Sequence, residues 1–190
     1  MSTIARARLT SFAALLLLFA AIGVGHATAF QALRFEERLE RAVDVFVGRV
    51  TSVSTERRND DPWTTVSIAV DEWLLHDGTV TETGPFDVDL DFLGGSATGT
   101  APRQVAGFPV FAVGDRVLVA SYGAGSSAAS PLVGVTQGLW REASGVWRDD
   151  DGQALAIDAA GRAQLARDGD PEIVWLPALR ALLRELRGTP

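Results

Sequence analysis

From Phe86 to Phe92 the chain alternates without a break: Phe86, Val88, Leu90 and Phe92 are separated by Asp87, Asp89 and Asp91. A period of two puts every apolar side chain on one face of an extended strand and every carboxylate on the other. A helix would scatter the same residues around its axis, because its side chains repeat every 3.6 positions. The segment therefore requires a sheet to lie in and a core to face on one side only.

The flanking sequence supplies that sheet. Val43, Val45, Val47, Val50 and Val53 form a β-branched run that predicts a first strand. Arg57 to Pro62 reads as a polar turn. Trp63 to Leu75 then alternates Thr65, Ser67 and Ala69 with Val66, Ile68 and Val70, and predicts a second strand antiparallel to the first. His76-Asp77-Gly78 breaks it, and Gly94 to Gly107 is a loop of small residues carrying Arg103. Arg116 to Tyr122 and Leu132 to Trp140 predict two further strands, separated by a loop from Gly123 to Ser130. Residues 145–157 predict a hairpin around Asp150-Asp151-Gly152. Helical spacing occurs only near the ends. Phe35, Leu39 and Ala42 predict a short N-terminal helix, and Leu179, Leu182, Leu183 and Leu186 an amphipathic one over 177–187. The expected class is mainly β: a small OB-like five-stranded barrel, or a sandwich, with a helix at each end.

Residues 1–29 read as a cleaved secretory signal peptide. Arg6 and Arg8 precede an apolar run from Ser11 to Val24, and Ala27-Thr28-Ala29 offers the small side chains a signal peptidase admits. The run is shorter than the roughly 20 apolar residues of a spanning helix, so no stable membrane insertion is expected after cleavage. The expectation is a secreted or periplasmic protein with a single β-rich domain over 30–190, its barrel core over about 35–140. The chain contains no Cys, so an oxidising destination gives it no disulfides and its stability must come from the core. A net charge of −7 repels phosphate backbones, which argues against nucleic acid as a partner.

The segment Ala42-Val43-Asp44-Val45-Phe46-Val47-Gly48-Arg49-Val50 resembles the opening of the first strand in netrin-like and tissue-inhibitor-of-metalloproteinase-like domains, and of exported bacterial relatives of that shape. Gly94-Gly95, Gly107-Phe108-Pro109 with Phe111, Gly114-Asp115, Gly134 and Gln137-Gly138 extend the resemblance over roughly 35–140. It implies an OB-like barrel and an exported protein as partner, a protease included. Inhibitors of that family reach a protease zinc through an N-terminal Cys, and this Cys-less chain departs from them there.

The residues offer little chemistry of their own. His76 follows Leu74-Leu75 in a polar turn beside Asp77, and reads as an exposed or capping residue without the further His or Cys that a zinc site needs. No Gly-x-Ser-x-Gly elbow is present. Asp149-Asp150-Asp151-Gly152 lacks the first ligand of a calcium loop and reads as a hairpin tip. Asp87, Asp89 and Asp91 read as a solvated face; as paired carboxylates they carry the rival reading of a hydrolase. The binding candidates are Gly94, Gly95, Arg103 and Phe108 on the small-residue loop. Trp140 and Trp147, flanking a turn, are a candidate platform for carbohydrate or peptide. No catalytic residue, metal or cofactor is assigned. The sequence thus points to an exported, non-catalytic binding module engaging another exported protein; a carboxylate-dependent hydrolase and a structural envelope protein without a discrete ligand are the alternatives. Mass spectrometry of the exported protein is expected to find its N-terminus at Phe30; retention of residues 1–29 would contradict the cleavage site.

Overall fold

A computed structural model describes residues 31–99, 101–105, 107–123, 126, 128–157, 163–166 and 176–188. The expected signal peptide, Phe30 and Trp175 lie outside the described residues. The described elements run in the order α1 (Phe35–Arg41), β1 (Asp44–Arg58), β2 (Asp61–His76), β3 (Thr79–Val80), β4 (Asp87–Leu93), β5 (Arg116–Ser121), β6 (Leu139–Ala143), β7 (Val146–Arg148), β8 (Ala154–Ile157), β9 (Ala163–Ala166) and α2 (Leu176–Leu186).

Nine strands form one antiparallel sheet in the order β3-β2-β1-β5-β6-β7-β8-β9, with β4 also on β2. The outer edge of β2 is divided: β4 pairs with it from Trp63 to Ala69, and β3 at Leu75 and His76. Two-residue turns with positive φ at both positions join three of the hairpins: Asn59-Asp60, Asp77-Gly78 and Ser144-Gly145. That backbone matches the right-handed twist of the strands it connects. The first turn is therefore tighter than Arg57–Pro62, and both strands run almost to its tip.

The sheet is open, and this corrects the expected closed barrel. The strand predicted over Leu132–Trp140 is the cause. Leu132 makes one isolated bridge to Ser121, residues 133–138 turn, and a ladder resumes only at Leu139. Gly138 sits where a Cβ would collide with the Ala120 carbonyl, so the turn presses against β5. β6 then pairs with β5 and hands the ladder outward to β7, β8 and β9, so the sheet extends away from β4.

Both faces of the central strands are buried, as their apolar runs require. On one face Val45, Val47, Leu118, Ala120, Trp140, Trp147 and Leu155 pack beneath Leu39 of α1 and Leu179, Leu182 and Leu183 of α2. On the other, Phe46, Val50, Val66, Ile68, Val117 and Val119 pack with Val88, Leu90 and Phe92 of β4. α2 thus spends its apolar side on the sheet, and no helix among the described residues is long and apolar enough to cross a membrane. Arg180 fixes it from the rim, donating to Glu72 at 2.7 Å and pairing with Glu82 at 3.0 Å. Arg187 donates to the carbonyls of Leu39 and Ala42 at the end of α1, where a helix has unpaired acceptors.

Leu183→Ala should lower unfolding free energy by about 2–5 kcal/mol, because it empties a fully buried site. Arg184→Ala, on the exposed side of the same helix, should change it by less than about 0.5 kcal/mol. Urea denaturation of both variants checks the orientation of α2.

Candidate functional site

Four of the six sequence candidates meet at one place. Gly94, Gly95, Arg103 and Phe108 line a cleft of about 430 Å³ together with Val53, Thr55, Thr64, Phe92, Val105, Val110 and Phe111, among others. Phe92 is its floor: buried at the end of β4, it meets Phe108 at 6.2 Å and Phe111 at 5.3 Å between ring centroids. Val53 and Thr55 form one wall, and the segments 102–105 and 108–111 form the other. Val53 is 40% exposed and Val110 83% exposed, so the mouth of the cleft offers apolar surface to solvent.

The glycines let the chain pass under this wall. Gly94 donates its N–H to the Pro62 carbonyl, and Gly95 exchanges two backbone bonds with Arg103, at 2.8 and 2.9 Å. At Gly95, with φ +118°, a Cβ would sit 2.5 Å from Thr64 Oγ1 and 2.7 Å from Thr55 Cγ2. Only a residue without a side chain fits both the angle and the space. The hydroxyls of Thr55 and Thr64 are spent locally. Thr64 Oγ1 donates to the Gly94 carbonyl at 2.8 Å, so in the 3.0 Å contact between Thr55 and Thr64 it is Thr55 that donates. Arg103 is paired with Asp61. The cleft is therefore mostly apolar and holds no uncompensated charge, with Ser96 and Gln104 as further polar side chains in its lining.

The other two candidates are elsewhere. Trp140 is 2% and Trp147 5% exposed, both in the core beneath the terminal helices, so they form no surface platform. Trp140 meets the Phe35 ring edge-on at 5.3 Å and carries Arg38 over its face at 5.7 Å. Two aromatics flanking a turn look alike in sequence whichever way the ladder faces them.

The three aspartates of β4 are not equivalent either. Asp87 and Asp89 are exposed, whereas Asp91 accepts from Arg58 at 2.6 and 3.3 Å and from Thr65 at 2.6 Å. The Arg58 hydrogen bonds hold its carboxyl below the usual range, with Thr65 adding to them against a desolvation that opposes both. A general acid at neutral pH needs the opposite shift. Asp149 accepts from the N–H groups of Asp151 and Gln153, closing the β7–β8 loop, and Asp150 pairs with Arg141.

His76 is more engaged than its sequence context indicates. Its Nδ1 lies 3.0 Å from Oδ1 of Asp44, which is 4% exposed, and its ring is 4.5 Å from that of Trp73. Asp44 Oδ1 also accepts the Asp77 N–H at 3.0 Å. Asp44, His76 and Asp77 bring three potential ligand atoms within 4.8 Å of one another. A cation there would compete with the bonds that already satisfy a buried carboxylate, leaving His76 Nε2 and exposed Asp77 as the outward donors. The cluster serves to pin the β2–β3 turn to the start of β1, where Gly78 also donates to the Val43 carbonyl.

Gly95→Ala should destabilise the fold by about 1–3 kcal/mol from backbone strain, with the collision against Thr64 added; thermal melting reads this. Asp91 has a lowered folded pKa, so it stabilises above its ordinary titration range and loses that contribution as pH falls through the folded value. Asp91→Asn should therefore cost about 0.2–1 kcal/mol at pH 7, and the gap from the native protein should close as urea melts are repeated toward pH 2. No family model matches the chain, and neither a curated protein nor a solved structure matches it, so the site is read from its own chemistry.

Proposed function

We propose that the protein is an exported, non-catalytic binding module, and that it engages another exported protein through the cleft over Phe92. The observation that carries this is the cleft itself: mostly apolar walls on a two-faced core, a mouth that keeps Val53 and Val110 in solvent, and an Arg103 charge already paired with Asp61. Its volume of about 430 Å³ lies in the range of recognition pockets and takes one or two large apolar side chains. Such surface is costly to leave exposed, and patches of this kind mark interaction sites. The netrin-like opening of β1 supports the same reading and makes a protease one partner to test.

The test compares the tagged full chain, expressed and exported, with its Val53→Glu variant as baits for exported proteins of the same cell. Val53 is exposed, so the variant should fold normally. One stoichiometric partner held by the native chain and released by Val53→Glu is expected. Equal capture by both would remove the cleft from the interaction, and capture by neither would overturn the reading.

A further inference from the structure

We infer that the group entering the cleft is an extended peptide segment of the partner, added as a new strand to the bare edge of β1 from Thr51 to Arg58; this rests on the cleft being the binding site. β1 is bonded to β2 along one edge as far as Arg58 opposite Asp61. Its other edge is bonded to β5 only from Asp44 to Arg49, and then at Val50 to Gly114 and Asp115. From Thr51 onward that second edge has no backbone partner among the described residues. At about 3.3 Å per residue this leaves on the order of 25 Å of unpaired strand.

Proteins ordinarily guard such an edge with charge, proline or a covering loop. Here the guard is partial. Glu56, Arg57 and Arg58 stand at the tip, whereas Thr51, Ser52, Val53, Ser54 and Thr55 carry no charge and are β-prone. The uncharged stretch is the one that borders the cleft, since Val53 and Thr55 are its wall. An added strand would find backbone donors and acceptors along Thr51–Thr55 and, at alternate side chains, the apolar floor between Phe108 and Phe111. Main-chain bonds then give affinity and the pocket gives selectivity, as in other strand-addition complexes. A compact small molecule could not use the edge, and the hydroxyl donors of Thr55 and Thr64 are already spent. Because Arg103 is paired with Asp61, and Arg58 with Asp91, nothing in the site selects a charged group. The segment that fits is extended and uncharged at its centre, with apolar residues at every second position.

The experiment selects displayed random dodecapeptides on the full chain and measures the synthetic winners by fluorescence anisotropy. The winners are then methylated at one backbone nitrogen at a time. Methylation at alternate residues is expected to weaken binding about tenfold, the loss of a ladder bond, and at the residues between to leave it within about twofold. Bound peptide is also expected to slow hydrogen exchange of amides within Thr51–Arg58. Peptides released by Val53→Glu but indifferent to methylation at every position would overturn strand addition while leaving the cleft as the site. Peptides unaffected by Val53→Glu, or no winners at all, would overturn both. Slowed exchange that appears without peptide as protein concentration rises, together with dimer in sedimentation, would show that a second copy occupies the edge and would overturn the choice of occupant.

Discussion

The fold depends on burying the start of β1 on both of its faces. Val45, Phe46 and Val47 are each fully buried, the first and third toward the terminal helices and the second toward β4. Most antiparallel sheets keep one face wet. With no cysteine available, this chain gains its stability by using both, and the central strands accordingly lose their alternation just where they cross the middle of the molecule. The arrangement also dictates how polar groups are treated there. Asp44 enters this layer as a carboxylate, and it is tolerated because His76 and the Asp77 amide meet it.

The second half of β1 reuses the same strand for a different end. Its register against β2 shifts between Val50 and Ser52. A one-residue irregularity changes which side chains face inward from that point on. Val50 belongs to the β4-side core and Val53 and Thr55 line the cleft beside Phe92, although 50 and 53 differ by an odd number. Without the bulge, Ser52 and Ser54 would lie on that side. The cleft therefore rests on the last of three irregularities in the β1–β2 ladder.

The strands whose patterns are set by one-sided burial were legible from residues alone, β4 above all. The terminal helices were legible for the same reason, whereas β5, buried on both faces, was legible as a short apolar run. Leu132–Trp140 misled because an apolar run interrupted by glycines satisfies the strand pattern, while the turn it makes is imposed by contact with β5. The loss of that strand, and the onward path through β6 to β9, is what leaves the sheet open. The loop half of the cleft was visible as Gly94, Gly95, Arg103 and Phe108. The strand half was not, since Val53, Thr55 and Thr64 reach it only through long-range pairing. Likewise Asp44 and His76 are 32 positions apart and meet across the ladder, and Asp91 differs from Asp87 and Asp89 because Arg58 and Thr65 reach it.

Arg187 grips the end of α1 across 145 and 148 positions of sequence. The last helix is thus the roof over the first. Elongation from the N-terminus lays down Leu39, Val45, Trp140 and Trp147 long before Leu179, Leu182 and Leu183 exist to cover them. Until that helix is made, the apolar layer beneath it has nothing to cover it from that side. The order of synthesis is thus the reverse of the order of covering: this layer closes only after the helix that carries Leu179, Leu182 and Leu183 has been made.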